Sequence, residues 1–238
     1  MATYLYCLRS DDHSVPAGLA GIDGAPVRSI HAAQLIAWVS DVDGSSVEVT
    51  VERVRAHDAV CAASLLVGET PLPIRFGQAF ADDAAVAQGV IARRHALEPR
   101  IARLSGCVEL RVVVTRGRES GEHAAVLDAE GTGGPVGGET QEGPGTAFLR
   151  RLARAGRADI AREVGCEEAR QAVRERARDL IVDHQPCQAA RGLAFFPVLV
   201  RRDDVDQFRG AVSEMLLSHA IDLSLLGPFA PYSFAGDA

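Results

Sequence analysis

The sequence contains no lysine; all 25 of its basic residues are arginine. That single absence removes several chemistries. A P-loop needs a lysine on the phosphates, pyridoxal phosphate needs one for its Schiff base, and a Ser-Lys dyad needs the amine. Cysteines are few: Cys7, Cys61, Cys107, Cys166 and Cys187 are odd in number and form no C-x-x-C pair. They read as reduced, buried thiols rather than a disulfide framework. The seven histidines (His13, His31, His57, His95, His123, His184, His219) make no H-x-H, H-x-x-x-H or H-E-x-x-H pattern. His184 with Cys187 is half a metal site without its other half. No G-x-S-x-G elbow is present. No uncharged apolar run approaches the roughly 18 to 20 residues that span a bilayer, and MATYLYCLRS lacks the basic and apolar regions of a signal peptide. The expectation is a soluble cytoplasmic protein that is not an enzyme, with no cofactor, no metal and no lipid membrane contact.

What is present suits a folded chain. Of 238 residues, 47% are hydrophobic and 24% charged, enough for a packed core in one large or two modest domains. The net charge of −7 argues against a general nucleic-acid binder, which needs a basic surface to neutralise phosphates.

Thr3 to Leu8 is β-prone and opens the chain as a strand with Tyr4, Tyr6 and Leu8 on one side. Pro16, Gly18, Gly21 and Gly24 make residues 10–26 a loop. Strands follow at Val27–His31 and Leu35–Val42. Thr50 caps a helix to about Val67, with Val51, Val54, Cys61 and Leu65 on one face. LPIRFG, Leu72 to Gly77, is a short strand. Asp82 caps a helix carrying Val86, Val90, Leu97, Ile101 and Leu104, with Pro99 predicting a break near Leu97. Gly106 ends it, and VELRVVVT, Val108 to Thr115, is a strand.

Composition then changes. Residues 117–145 hold nine glycines and two prolines with few large apolar side chains, and read as a linker or mobile insertion. GTGGPVGG within it has no Lys-Ser/Thr pair and no strand immediately before it, so it reads as linker rather than phosphate cradle. Helices are predicted from Thr146 (Phe148, Leu149, Leu152) and over Asp159 to about Asp183. In the second, Ile160, Val164, Val173, Leu180 and Ile181 share a face, and the alternating Arg and Glu residues read as a salt-bridged solvent face. Gln188 to Gly192 turns into the strand Leu193–Val200. Asp203 or Asp204 caps a last helix with Val205, Phe208, Val212, Met215, Leu216 and His219 inward, and Ile221–Leu226 is a strand.

Strands and helices without regular βαβ alternation predict an α+β class with two domains, each a ferredoxin-like or modified ferredoxin-like antiparallel sheet with helices on one face. The division falls at residues 1–106 and 107–238, the second including the insertion at 117–145 and a tail, 227–238.

His57 lies one turn from Val54 and Cys61 and reads as a packed or capped histidine rather than a ligand. The pairs Asp82-Asp83 and Asp203-Asp204 begin helices, where capping accounts for them. Arg75 and Phe76 stand at a sheet margin. Arg75 has two readings, an ion pair within the chain or a contact to a partner or across the domain interface. The tail aromatics Phe229, Tyr232 and Phe234 have two as well, sealing that interface or contacting a partner. An enzyme site between the domains using His57 and Arg75, or a small-ligand regulatory module, is the alternative function.

Six collinear segments resemble the GvpF/GvpL family of gas vesicle proteins: YLYCL, IHAAQLIAWVS, Ala56-His57-Asp58 with LPIRFG, SGCVELRVVV, GPGTAFLRRL and LSLLGPFAPYSF. Departures are Phe229 at the usual tail tryptophan, Ala230 at a proline, Gln78 at a threonine and Phe148 at a tyrosine. The resemblance implies a two-domain α+β protein that is a minor component or accessory in gas vesicle assembly. It also implies contact with the shell protein GvpA and other accessory proteins, and attachment at the gas-facing side of the shell.

Overall fold

Large apolar and aromatic residues crowd the start of the chain, and the first strand, β1 (Ala2–Arg9), is buried along all eight of its residues. The computed structural model describes residues 1–44, 46–116, 165–190, 193–215 and 221–236. The predicted insertion at 117–145 and the helix beginning at Thr146 lie outside these.

β1 pairs with β3 (Leu35–Val42), which pairs in turn with β2 (Arg28–Ala32). On its other edge β1 receives β4 (Leu72–Pro73) and β5 (Ala79–Phe80), giving the antiparallel order β2-β3-β1-β4. Between Leu5 and Cys7 the register shifts at a bulge. The extra residue reverses the alternation, so Leu8 joins Leu5 on one face while Tyr4, Tyr6 and Cys7 share the other. That corrects the expected grouping of Tyr4, Tyr6 and Leu8.

Helix α1 (Val51–Leu66) covers the tyrosine face. Thr50 caps it, its hydroxyl accepting the Arg53 N–H at 3.2 Å. Its buried side is His57, Val60, Cys61, Ser64 and Leu65, whereas Val51 and Val54 are exposed, contrary to the predicted face. Against the leucine face pack α2 (Asp83–Ala92) and α3 (Arg94–Leu104) through Val86, Val90, Leu97, Ile101 and Leu104. Asp82 caps α2 by accepting the Ala85 N–H at 2.8 Å, and Asp83 accepts from Thr3 and Arg28, tying the helix to two strands. The break falls at Arg93 rather than near Leu97; Pro99 sits in the second turn of the new helix α3.

The second sheet runs β10 (Ile221–Phe229), β6 (Cys107–Arg116), β9 (Leu193–Arg201), β7 (Ile181–His184), with β8 (Gln188–Ala190) also on β9. Helix α4, described over 165–176, joins β6 to β7 along the chain, and α5 (Val205–Ser213) joins β9 to β10. Counted in chain order this is a 4-1-3-2 sheet with two crossover helices, the ferredoxin-like pattern. The first sheet has the same spatial order, modified: a loop with a 3-10 turn at Ile22–Gly24 replaces the first crossover helix.

Leu110, Val112, Ala194, Phe196, Val198, Phe208, Val212 and Val173 form the core beneath α4 and α5. Four predictions differ here. The long helix to Asp183 stops near 176, and 181–184 is a strand whose branched Ile181 and Val182 suit a sheet. Residues 188–190 extend on β9 instead of turning. Asp204 precedes α5 without a side-chain capping bond, Asp203 lies in a 3-10 turn, and Leu216 and His219 lie outside the described residues. Finally, folding brings Cys166 of α4 and Cys187 to a Cα separation of 6.1 Å, and they are disulfide-bonded. Cys7, Cys61 and Cys107 are free and buried.

Candidate functional site

Segments far apart in sequence meet in one cleft of about 450 Å³. Helix α1 supplies Val54, Arg55, His57 and Asp58, and the LPIRFG segment supplies Pro73, Arg75 and Phe76. β6 adds Arg111, and the tail adds Tyr232, Ala235 and Gly236. The cleft therefore lies where the first sheet, the second sheet and the chain's last described residues adjoin.

Its floor is aromatic. The His57 ring contacts those of Tyr4, Tyr6, Phe76 and Tyr232, with centroids 5.6 to 6.0 Å away, and Tyr4 also contacts Tyr6 at 4.9 Å and Phe76 at 5.9 Å. The Tyr4 hydroxyl accepts the Gly77 N–H at 2.9 Å and meets His57 Nδ1 at 2.9 Å. Gly77 has φ +98°, a left-handed turn that suits glycine and directs its amide inward. The His57 ring also bonds the backbone of Ile74. Burial, only partly opposed by that bond, pushes the His57 pKa down to about 4, so the ring is neutral at ordinary pH. Burial also raises the Tyr4 and Tyr232 phenols above their ordinary value, with the neighbouring Cys61 adding to the effect at Tyr232.

A carboxylate holds the tail. Glu109 sits near the start of β6 with no exposed surface. It accepts the Ser233 N–H at 2.8 Å and the Ser233 hydroxyl at 3.0 Å, and Arg111 Nε donates to it at 2.9 Å. The Arg111 guanidinium lies 4.9 Å from the centroid of Phe229, a favourable cation–ring arrangement. Upstream, Gly227 has φ +114° and passes so close to β6 that an added Cβ would stand 2.8 Å from the Glu109 carbonyl oxygen. Beyond Ser233, Phe234 and Ala235 enter the core formed by α2, α3, Leu8, Cys107 and Leu199, and the Ala235 carbonyl accepts from Arg100 at 3.4 Å.

Of the residues singled out from sequence, Arg75 is exposed at the rim and Phe76 is half-buried in the aromatic floor. Phe229 lies beside Arg111, Tyr232 packs on the floor and Phe234 is buried. His57 and Arg75 do share a cleft. Sequence reasoning missed Glu109, Ser233 and Arg111. The available signal was Glu109 itself, an acidic residue within the apolar run VELRVVV, where a buried carboxylate requires partners.

Among the described residues, no group of three or more His, Cys, Asp or Glu side chains could hold a metal ion. Nor is any described helix long and apolar enough to cross a membrane.

Comparison with known proteins places this architecture. The family described as "Gas vesicle synthesis protein GvpL/GvpF" matches residues 2–236. Gas vesicle protein F of Streptomyces sp. (strain CB03234) is 30% identical over 98% of this chain and 99% of its own length. Gas vesicle protein L of the same strain is 29% identical over 99% of this chain and 93% of its own. The crystal structure of GvpF from Anabaena sp. PCC7120 superposes with a TM-score of 0.69 over 98% of this chain and 95% of that one; at 16% identity it speaks to the fold. The chain belongs to the gas vesicle synthesis protein GvpL/GvpF family and is involved in gas vesicle formation.

Proposed function

We propose that this chain is a non-enzymatic assembly protein, a minor vesicle component that binds the main shell protein GvpA and other gas vesicle accessory proteins. It would do so from the cytoplasm during assembly and remain at the gas-facing side of the shell. The observation that supports this reading is convergence. Ala56-His57-Asp58, LPIRFG, VELRV and PYSF, segments that resemble the family and are scattered along the chain, all contribute to one cleft. A surface assembled from such segments suits a common protein partner. His57 argues against catalysis at the same place. Its ring is buried and engaged by Tyr4 and Ile74, which suits holding the floor together more than proton transfer. The same reading takes residues 1–106 and 107–238 as two units, docked through the tail.

Two measurements on cells carrying the vesicle genes test this. The tagged full-length chain retains GvpA or accessory proteins on purification; retention of none of them overturns the binding role. Protease leaves the chain intact in whole vesicles and digests it once pressure collapses them. Digestion in whole vesicles would overturn the gas-facing placement.

A further inference from the structure

We propose that Cys187 is a site of thiol–disulfide exchange, at which a small thiol opens the Cys166–Cys187 bond and is held as a mixed disulfide. The proposal is independent of the assembly role and begins from burial. Cys7, Cys61, Cys107 and Cys166 have between 0% and 3% of their surface exposed, so a small molecule does not reach them in the folded chain. Cys187 is half-buried, and of the five cysteines it alone meets solvent. Its place in the second sheet accounts for this. β7 and β8 lie end to end on one edge of β9, Ile181–His184 against Val198–Val200 and Gln188–Ala190 against Leu193–Phe195. Between them Gln185 still donates its N–H to the Pro197 carbonyl at 2.9 Å, but Pro186 has no N–H to give and the edge ladder is interrupted. Cys187 stands in that interruption, and its bond to Cys166 fastens the interrupted edge to α4.

Burial also decides which sulfur is attacked. Displacement at a disulfide is in line, the thiolate entering opposite the sulfur that leaves. At Cys187 Sγ that is the side away from the buried Cys166. Entry at Cys166 Sγ would have to pass through the core that Cys166 shares with Ala169 and Val173. As the new bond forms at Cys187 the old one breaks, and Cys166 departs as a thiolate that takes a proton from water. A second small thiolate then attacks the first one's sulfur, leaving as the small-molecule disulfide and freeing the Cys187 thiol. The two electrons thus come from two small thiols. In the reverse direction the Cys166 thiolate attacks the mixed disulfide at Cys187 and expels the small thiol. The bond closes a loop of sequence separation 21, so opening it returns freedom to the unfolded chain and makes the fold less stable. The apolar core of Phe196, Val198 and Phe208 remains, and the edge at residues 185–190 is what loosens.

The test incubates the full-length chain with set ratios of reduced and oxidised glutathione, quenches with acid, alkylates free thiols and reads each cysteine by mass spectrometry. In the wild type Cys166 and Cys187 convert together and reversibly while Cys7, Cys61 and Cys107 stay reduced. Cys166→Ser traps the intermediate: oxidised glutathione adds to Cys187 in that variant at least about tenfold faster than it adds to Cys166 in Cys187→Ser. Equal rates in the two variants overturn the assignment to Cys187. A wild-type pair that no glutathione ratio converts while the chain stays folded overturns the exchange site altogether. The wild type also carries the test without any substitution. Its melting temperature falls by roughly 5–10 °C on reduction, and amide exchange rises at residues 185–190 with β6 still protected. A reduced chain with the melting temperature and exchange pattern of the oxidised one overturns the role of the bond in holding the edge.

Discussion

The two sheets share a spatial strand order and differ in how their interiors are satisfied. Both faces of the first are covered, by α1 on one side and by α2 with α3 on the other, and polar groups are built into it. Arg9 has no exposed surface; it pairs with Asp11, bonds Ser64 and lies 5.4 Å from the Trp38 ring centroid. His57, Ser40, Ser64 and Thr3 are buried with it. The second sheet keeps an apolar core beneath α4 and α5. Among its described residues, Glu109 is the buried charged side chain, and it lies on the opposite face. One topology is thus stabilised in two ways. The first sheet depends on polar groups that must all find partners inside, and the second mainly on the transfer of apolar surface.

The sharpest way to break the comparison is to cut the second core. Phe208→Ala removes a fully buried ring and costs about 3–5 kcal/mol. Amide exchange then rises in β6, β9 and β10 with β1 and β3 still protected. Equal loss in both sheets would show one cooperative unit. Acidification probes the first sheet. The folded His57 pKa of about 4 lies below the ordinary value near 6.5, so between them the unfolded chain takes up a proton that the folded ring refuses. This contribution is complete above about pH 6.5 and is lost as pH falls towards 4, amounting to about 3 kcal/mol. Denaturant titration at several pH values shows that slope in the wild type, and His57→Phe reduces it. The smallest effect concerns the junction. Glu109→Ala leaves the Ser233 amide and Arg111 without their carboxylate and costs about 1–3 kcal/mol. Exchange increases at residues 230–236 before either sheet opens. An unchanged tail would mean that its other contacts, through Tyr232, Phe234 and Ala235, hold it without Glu109.

Local signals made much of this fold legible. Leu35–Val42 is a strand with the predicted bounds, Thr50 and Asp82 cap the helices they precede, and VELRVVVT lies within β6. Each depends on side chains within a turn or two. The failures are non-local. The bulge that turns Leu8 away from Tyr6 arises in pairing with β3, which alternation within one strand cannot reveal. The helix predicted to about Asp183 follows from Ile160, Val164, Val173, Leu180 and Ile181 sharing a helical face, whereas the strand form of residues 181–184 comes from pairing with β9. The cleft was legible in its parts, Arg75, Phe76 and the tail aromatics. Their meeting place depended on Glu109 bonding a serine on the far side of the second sheet's sequence.

The tail also ties the completion of one core to a contact of long sequence separation. Phe234 and Ala235 complete a core whose other walls include Leu5, Leu8 and Leu35. Segments far apart in sequence must therefore meet before that enclosure is finished, a non-local contact that folding closes slowly. The same tail places Tyr232 against the His57 ring, at a centroid distance of 6.0 Å. A chain truncated before Ser233 lacks Phe234 and Ala235 from that core and loses the stabilisation of their burial.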